Sequence, residues 1–463
     1  MQPGLLIRLR PLGAWRYGPA EGGHDSVDTL YRSDRLYSAV TLAMQRLGFL
    51  DEWLAATAHA AKPAVVFSSL YPFQGDTLYA IPPATLWPPP VALLNSPSPV
   101  FLTKIRWKTA RFVPLSVIDS LITGQPILAD QWLPDPESGC LLRRDRPSAS
   151  PFRIIARSTS AVDRVTNTSD ESKSVACIEF EPSAGLWTIA RFEDSASEQT
   201  WSPRLQSALR LLSDSGFGGG RSKGWGQTQT AEFQSGSWPA LLLPKLGRHL
   251  ATAPVAESSE AAGLFWLLSL YSPAASDKVD WSGGHYSLLA RGGRVESHAG
   301  HGAAKKTVRM VSEGCVLASH IEPVGAAVDV APDGFAHPVY RSGLALALRL
   351  PVVEIKPAPI VEDVPQNTEQ PLAEPRTPVS GLSPSPVSPE DKEQSPADPA
   401  SVVEEPAIAE IIPEEETVTA PVIEEPPAEP EPVPQEAPSG PEPAPQEPPS
   451  EPEPAVQEPP HEI

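Results

Sequence analysis

The 463-residue chain carries a formal net charge of −21 and 57 prolines, but neither is spread evenly along it. Residues 356–463 hold 29 of the prolines, 25 acidic and 3 basic residues, and no Phe, Trp or Tyr; with so little apolar surface to offset chain entropy, the stretch reads as a disordered acidic Pro-rich tail. The preceding 355 residues hold 32 acidic and 33 basic residues, a net of +1, so the acidic total does not exclude nucleic acid as a partner.

The tail contains a near-repeat, Pro441-Glu-Pro-Ala-Pro-Gln-Glu-Pro-Pro449 and Pro452-Glu-Pro-Ala-Val-Gln-Glu-Pro-Pro460, of the kind that stays extended and self-repelling. Cys140, Cys177 and Cys315 are odd in number and lack a C-x-x-C pair, which points to reduced thiols in a cytoplasmic protein and away from structural zinc. Arg8, Arg10 and Arg16 interrupt the early apolar residues, so no signal peptide is expected. No apolar run is long enough to span a membrane.

In chain order, residues 4–10 read as a strand. A loop with Gly18, Gly22, Gly23 and His24 follows. A helix starts near Ser33-Asp34, with apolar residues at 36, 39, 40, 43, 44 and 47 at helical spacing. Strands are expected at 65–67 and 77–81, with a turn over 71–76. Residues 82–100 are proline-rich and are expected to wrap the surface, and Leu115–Ile122 should be a short helix ended by Gly124. Strands at 153–160, 175–181 and 186–192 follow, with Asp163–Lys173 as the tip of a long hairpin. Trp201–Leu212 reads as a helix and Gln227–Phe233 as a strand. Strand-like segments recur at 263–270, 284–291, 307–317 and 343–350. The mixture suggests an α+β fold of two ferredoxin-like sheets packed together.

Between the second long helix and its strand lies Gly216-Phe-Gly-Gly-Gly-Arg-Ser-Lys-Gly-Trp-Gly226, six glycines in eleven residues. Glycines allow left-handed backbone and leave amides uncovered, so a phosphate can approach Gly218, Gly219, Gly220, Ser222 and Gly224. Arg221 and Lys223 add positive charge, and Trp225 a stacking face. No Gly-Lys-Ser or Gly-Lys-Thr is present, and the helix precedes the loop instead of following it, which excludes the Walker and dinucleotide readings. The alternative is a tight glycine connection needed only for helix–strand packing.

Four segments, in order, resemble one family: Ser33-Asp-Arg-Leu-Tyr-Ser-Ala39; Ser69-Leu-Tyr-Pro-Phe-Gln-Gly-Asp-Thr-Leu-Tyr79; Asp163-Arg-Val-Thr-Asn-Thr-Ser169 with the glycine loop; and Lys305–Gly314 with His337-Pro-Val-Tyr-Arg-Ser-Gly343. The chain is similar over roughly residues 4–351 to the Csm-type (type III-A) CRISPR effector subunit that caps the 5′ end of the guide RNA, a member of the RAMP superfamily. Arg35 stands where that family often has threonine.

The resemblance implies two ferredoxin-like (RRM-like) RAMP domains: residues 1–236, with a thumb-like hairpin at about 160–175 and the glycine loop at 216–226, and residues 237–355. The tail, 356–463, is an addition. It further implies a non-catalytic subunit without cofactor or metal that holds the 5′ tag of the CRISPR RNA, meets the guide–target duplex, and docks the large polymerase-like subunit and the repeated backbone subunit. The RNA-contacting residues would be Gly218–Trp225, Ser33, Arg35, His24, and Arg164 and Lys173 of the hairpin. A CRISPR RNA-processing endoribonuclease using His24, with Tyr17, Arg16 or Tyr31 nearby, is the competing reading, as is the equivalent type III-B (Cmr-type) subunit. The basic run Lys104, Arg106, Lys108 and Arg111, interleaved with Trp107 and Phe112, fits an RNA-facing edge or a subunit contact, and Lys305, Lys306 and Arg309 are similar. Asp163 braces a turn or meets a partner. His298 and His301 have no third ligand at suitable spacing.

Overall fold

The computed structural model describes residues 2–18, 26–95, 106–145, 149–162, 165–166, 169–252, 262–297 and 300–352. They lie in one compact unit, Met1–Gln366. The tail, His24, Lys104, Asp163, Arg164 and His298 fall outside the described residues.

The first strand, β1 (Gln2–Leu9), is apolar enough to be buried along most of its length. Helix α1 (Ser33–Arg46) buries Leu36, Tyr37, Val40, Ala43 and Met44, the face that the apolar spacing predicts. A short helix α2 (Leu50–Ala56) folds back so that Trp53 meets Tyr37 and Trp201. Strands β2 (Val65–Phe67), β3 (Tyr71–Gln74) and β4 (Thr77–Ala80) follow, then β5 (Val113–Pro114) and helix α3 (Leu115–Ile122), whose bounds coincide with the expected ones.

A hairpin of two long strands, β6 (Phe152–Val162) and β7 (Ser169–Phe180), forms a sheet of its own. Its pairing runs from Phe152↔Phe180 to Val162↔Ser169, so the strands reach further than expected. Lys173 is thus a strand residue opposite Thr159. A backbone bridge from Trp15 to Ile178 ties the hairpin base to the body.

The chain returns through β8 (Ala184–Phe192), α4 (Ser195–Ser215) and β9 (Glu232–Trp238). Helix α4 begins six residues before the expected start because Asp194 caps it, accepting the Ser197 amide at 2.7 Å. Strand β9 begins later than expected because Thr228 is tied to Ser213 at the end of α4. The main sheet has the order β9-β1-β8-β3-β4-β5, with β2 also pairing β8. Taken as β1-α1-β3-β8-α4-β9, this is a β-α-β-β-α-β unit with its strands in the order 4-1-3-2, and α1 packs beside α4.

After α5 (Pro244–Thr252) comes a second, four-stranded sheet. Its strands are β10 (Gly263–Leu267), β11 (Val279–His285), β14 (Val316–Ser319) and β16 (Ala347–Arg349), in the order β11-β14-β10-β16. Between them, β12 (Leu288–Arg291) pairs β13 (Val308–Val311), and β15 (Tyr340–Ser342) pairs residues 327–329. Each of the expected segments 284–291 and 307–317 is thus divided into two strands. Among the described residues 262–352 there is no helix. The fold is α+β.

Candidate nucleic-acid interface

Ser33, Asp34 and Arg35 open α1, and each does something different. The Ser33 hydroxyl accepts the Leu270 amide at 3.0 Å, while its own amide donates to Ser69 Oγ at 2.9 Å. Ser33 is 4% exposed and so faces the second sheet instead of solvent. Asp34 is fully buried between two guanidiniums. Arg291 at the end of β12 donates to both its oxygens, at 3.0 and 2.9 Å, and Arg341 of β15 donates to Oδ2. Burial pushes the Asp34 carboxyl up, but Arg291 and Arg341 outweigh it and hold it at about 2.

A second buried pair lies next to this one. Glu313 receives the Ser69 hydroxyl at 2.5 Å and the Arg32 guanidinium, and Arg32 also donates to Asp28 at 3.2 Å. The Tyr71 hydroxyl donates to the Leu268 carbonyl at 2.9 Å. The motifs around residues 33, 69, 313 and 341 therefore converge on one seam between the two sheets.

Arg35 points the other way along α1. It donates to the Gly18 carbonyl, and its Nη1 is buried without a hydrogen-bond partner among the described residues. Burial, and then the neighbouring Arg291, push its pKa down from the usual arginine value. Arg35 lines a cleft of about 270 Å³ whose walls come from three segments. Helix α1 supplies Arg35, Ser38, Ala39, Leu42 and Arg46. The glycine loop supplies Gly216–Gly218 and Arg221. Residues 292–294, with Lys305 and Arg341, form the third wall. Asp34 is the one carboxylate lining it among the described residues, and its charge is already matched by Arg291 and Arg341. Arg341 Nε is a second buried donor without a partner among them. An unmatched buried donor is costly, and the lining of the cleft, rich in Arg and Lys, suits an anion.

The glycine loop forms one side of this cleft, and its interior explains its composition. Phe217 stacks on Trp15 with centroids 5.2 Å apart, and Tyr31 meets its edge at 6.1 Å. Gly218 and Gly226 have positive φ, and a Cβ there would lie 2.4 Å from the Arg16 carbonyl and 2.0 Å from the Phe217 carbonyl, respectively. The amides of Phe217, Gly219, Lys223, Gly224, Trp225 and Gly226 donate to carbonyls of Gly226, Arg16, Gly220, Arg221, Gly220 and Ala14. Of the five expected approach points, the amides of Gly219 and Gly224 are therefore committed inside the protein, and Gly218 and Gly226 serve close packing. Gly220 lies against the Trp225 ring, where a Cβ would approach Cε3 to 2.9 Å. Ser222, Lys223 and Gly224 stay exposed at the crest, and Arg221 and Trp225 are half-buried.

Other expected residues are scattered. Arg111 turns inward, donating to Thr29 Oγ1 at 2.5 Å. Trp107 and Phe112 are core residues, with Trp107 stacked on Trp87, so the aromatics of that basic run offer no face to RNA. Arg106 and Lys108 are exposed. Lys306 pairs with Asp333 at 2.7 Å, whereas Lys305 lines the cleft. His301 lies on strand Gly300–Ala304. Tyr17 and Tyr31 are buried beneath the loop, and burial pushes both hydroxyls above their usual range, Tyr31 to about 12, which leaves them poor proton-transfer groups at neutral pH. Sequence patterns point to no role for Arg46, Arg291 or Arg294, and Arg341 enters only as part of the motif His337–Gly343. Arg46 was within reach, lying eleven residues after Arg35 on the same helix face.

Comparison with known proteins gives the C-terminal sheet a family. Residues 260–350 match the model of the CRISPR Csm4 C-terminal domain. No curated protein matches the chain. Among solved structures it is similar to a chain of a Csm1–Csm4 cassette in complex with cA4, at 15% identity over 76% of this chain and 99% of that one, with a TM-score of 0.44. It is also similar to a chain of a Csm3–Csm4 subcomplex of a type III-A CRISPR–Cas interference complex, at 12% identity over 75% and 100%, with a TM-score of 0.48. Residues 260–350 thus carry the CRISPR Csm4 C-terminal domain, in keeping with the family that the sequence motifs resemble.

Proposed function

We propose that the protein is a non-catalytic RNA-binding subunit of a cytoplasmic type III-A CRISPR effector complex, holding the 5′ tag of the CRISPR RNA. In that complex it docks the large polymerase-like subunit and the repeated backbone subunit. The observation that carries the RNA assignment is the cleft. Guanidiniums from α1, the glycine loop and residues 292–294 converge on it, and the buried Arg35 Nη1 has no acceptor among the described residues.

Phosphates bound there would fix the register of the strand without reading its bases. The β-α-β-β-α-β order of residues 2–238 supports a ferredoxin-like first RAMP domain. The second domain is read as a RAMP domain reduced to its sheet. The hairpin β6–β7, a two-stranded sheet of its own, suits the thumb that meets the guide–target duplex, with Lys173 on its second strand.

Arg46→Ala/Arg221→Ala should weaken binding of a tag-bearing guide RNA and lower the slope of log K against log salt by about 0.7 for each phosphate no longer neutralised. Filter-binding curves that match wild type across the salt series would sink the assignment. Cleavage of a repeat-containing transcript by the purified protein would overturn the non-catalytic reading.

A further inference from the structure

A second basic surface lies on α5, and none of its lining residues belongs to the cleft. Lys245, Arg248, His249 and Thr252 fall at i, i+3, i+4 and i+7, one face of the helix. With Thr123 and Gln125 after α3 they line a groove of about 350 Å³. None of these lining residues is acidic or apolar. Arg248, His249 and Thr252 are exposed.

Local structure accounts for part of this arrangement only. Asp119 of α3 accepts the Lys245 and Leu246 amides at 2.8 and 2.9 Å, so both its oxygens are used in fixing the start of α5. Lys245 Nζ donates to Ser120 Oγ at 2.8 Å, and the Thr252 hydroxyl turns back to helix carbonyls. A basic side chain in the last turn of a helix suits its dipole, which accounts for the position of His249. The same dipole disfavours a cation in the first turn, where Lys245 stands. The dipole therefore does not explain the whole row.

We infer that this groove is a second phosphate-binding site, contacting the backbone of single-stranded RNA outside the cleft. The absence of an apolar or aromatic residue from its described lining decides between partners. Protein interfaces centre on such residues, whereas nucleic-acid surfaces are polar and strongly cationic.

The test uses the full chain and fluorescence anisotropy with labelled single-stranded RNAs of several sequences at stepped salt. Arg248→Ala/His249→Ala changes exposed side chains only. It should raise Kd about three- to tenfold at low salt, equally for all sequences, and lower the salt slope by about 0.7 or more. Lysines at both positions should restore binding. Wild-type Kd and slope in the alanine pair, alongside weakened binding by Arg46→Ala/Arg221→Ala, would overturn the groove site and leave the cleft assignment intact. Binding of a poly-glutamate peptide to wild type in preference to RNA, lost in the alanine pair, would assign the groove to an acidic protein surface and overturn it as well.

Discussion

Asp34→Asn should cost about 3–5 kcal/mol of folding stability in urea melts at neutral pH, because it leaves two buried guanidiniums without their counter-charge. The Asp34 side chain has no solvent exposure, and those of Arg291 and Arg341 are 3% and 8% exposed, so water cannot replace the missing partner. The asparagine keeps the shape and some hydrogen bonding but not the charge. Asp34→Leu combined with Arg291→Met and Arg341→Met should lose less than Asp34→Asn alone, since an apolar trio has no charge to match.

The pH dependence has a definite sign. The folded carboxyl sits at about 2, below its ordinary 3.8, so the unfolded chain binds the proton more readily. The pair's contribution is complete above about pH 4 and is lost as pH falls through 2. Asp34→Asn should flatten that acid limb. A melt within 1 kcal/mol of wild type would show that the pair contributes little.

Gly226→Ala should be the most damaging single-methyl addition in the loop. The residue has φ of +79°, and the new Cβ would sit 2.0 Å from the Phe217 carbonyl and 2.7 Å from its amide nitrogen, both backbone atoms. Left-handed strain and overpacking together cost about 2–5 kcal/mol, and the Trp15–Phe217 stack would have to shift. Gly224→Ala is the control. Its φ is +77°, but the nearest atom is the flexible Gln227 side chain at 3.7 Å, so only the backbone strain of about 1–2 kcal/mol remains. Thermal melts followed by tryptophan emission would separate the two. Equal destabilisation would mean that packing inside the loop is not what its glycines are for.

Elements with strong local signals were legible in the sequence. The spacing of α1 and the run Leu115–Ile122 needed nothing beyond their own residues. Helices α2 and α5 were not anticipated: one has seven residues behind Gly48, and the other is started by Asp119, 126 residues upstream of Lys245. The glycine loop was found, but its purpose was only half visible. Its crest offers charge, while the amides of Gly219 and Gly226 turn inward to the Arg16 and Ala14 carbonyls, which no local pattern announces. Asp34 looked like a helix-start residue. Its partners lie 257 and 307 positions away, a distance over which a single sequence carries no pairing signal.

That long-range pairing bears on how the polypeptide can be divided. Cut between α5 and β10, the chain would become two pieces, one holding Asp34 and the other both of its arginines. Neither piece could bury its share of the seam alone without stranding charge. A protease-nicked molecule should therefore elute from gel filtration as one particle at neutral pH.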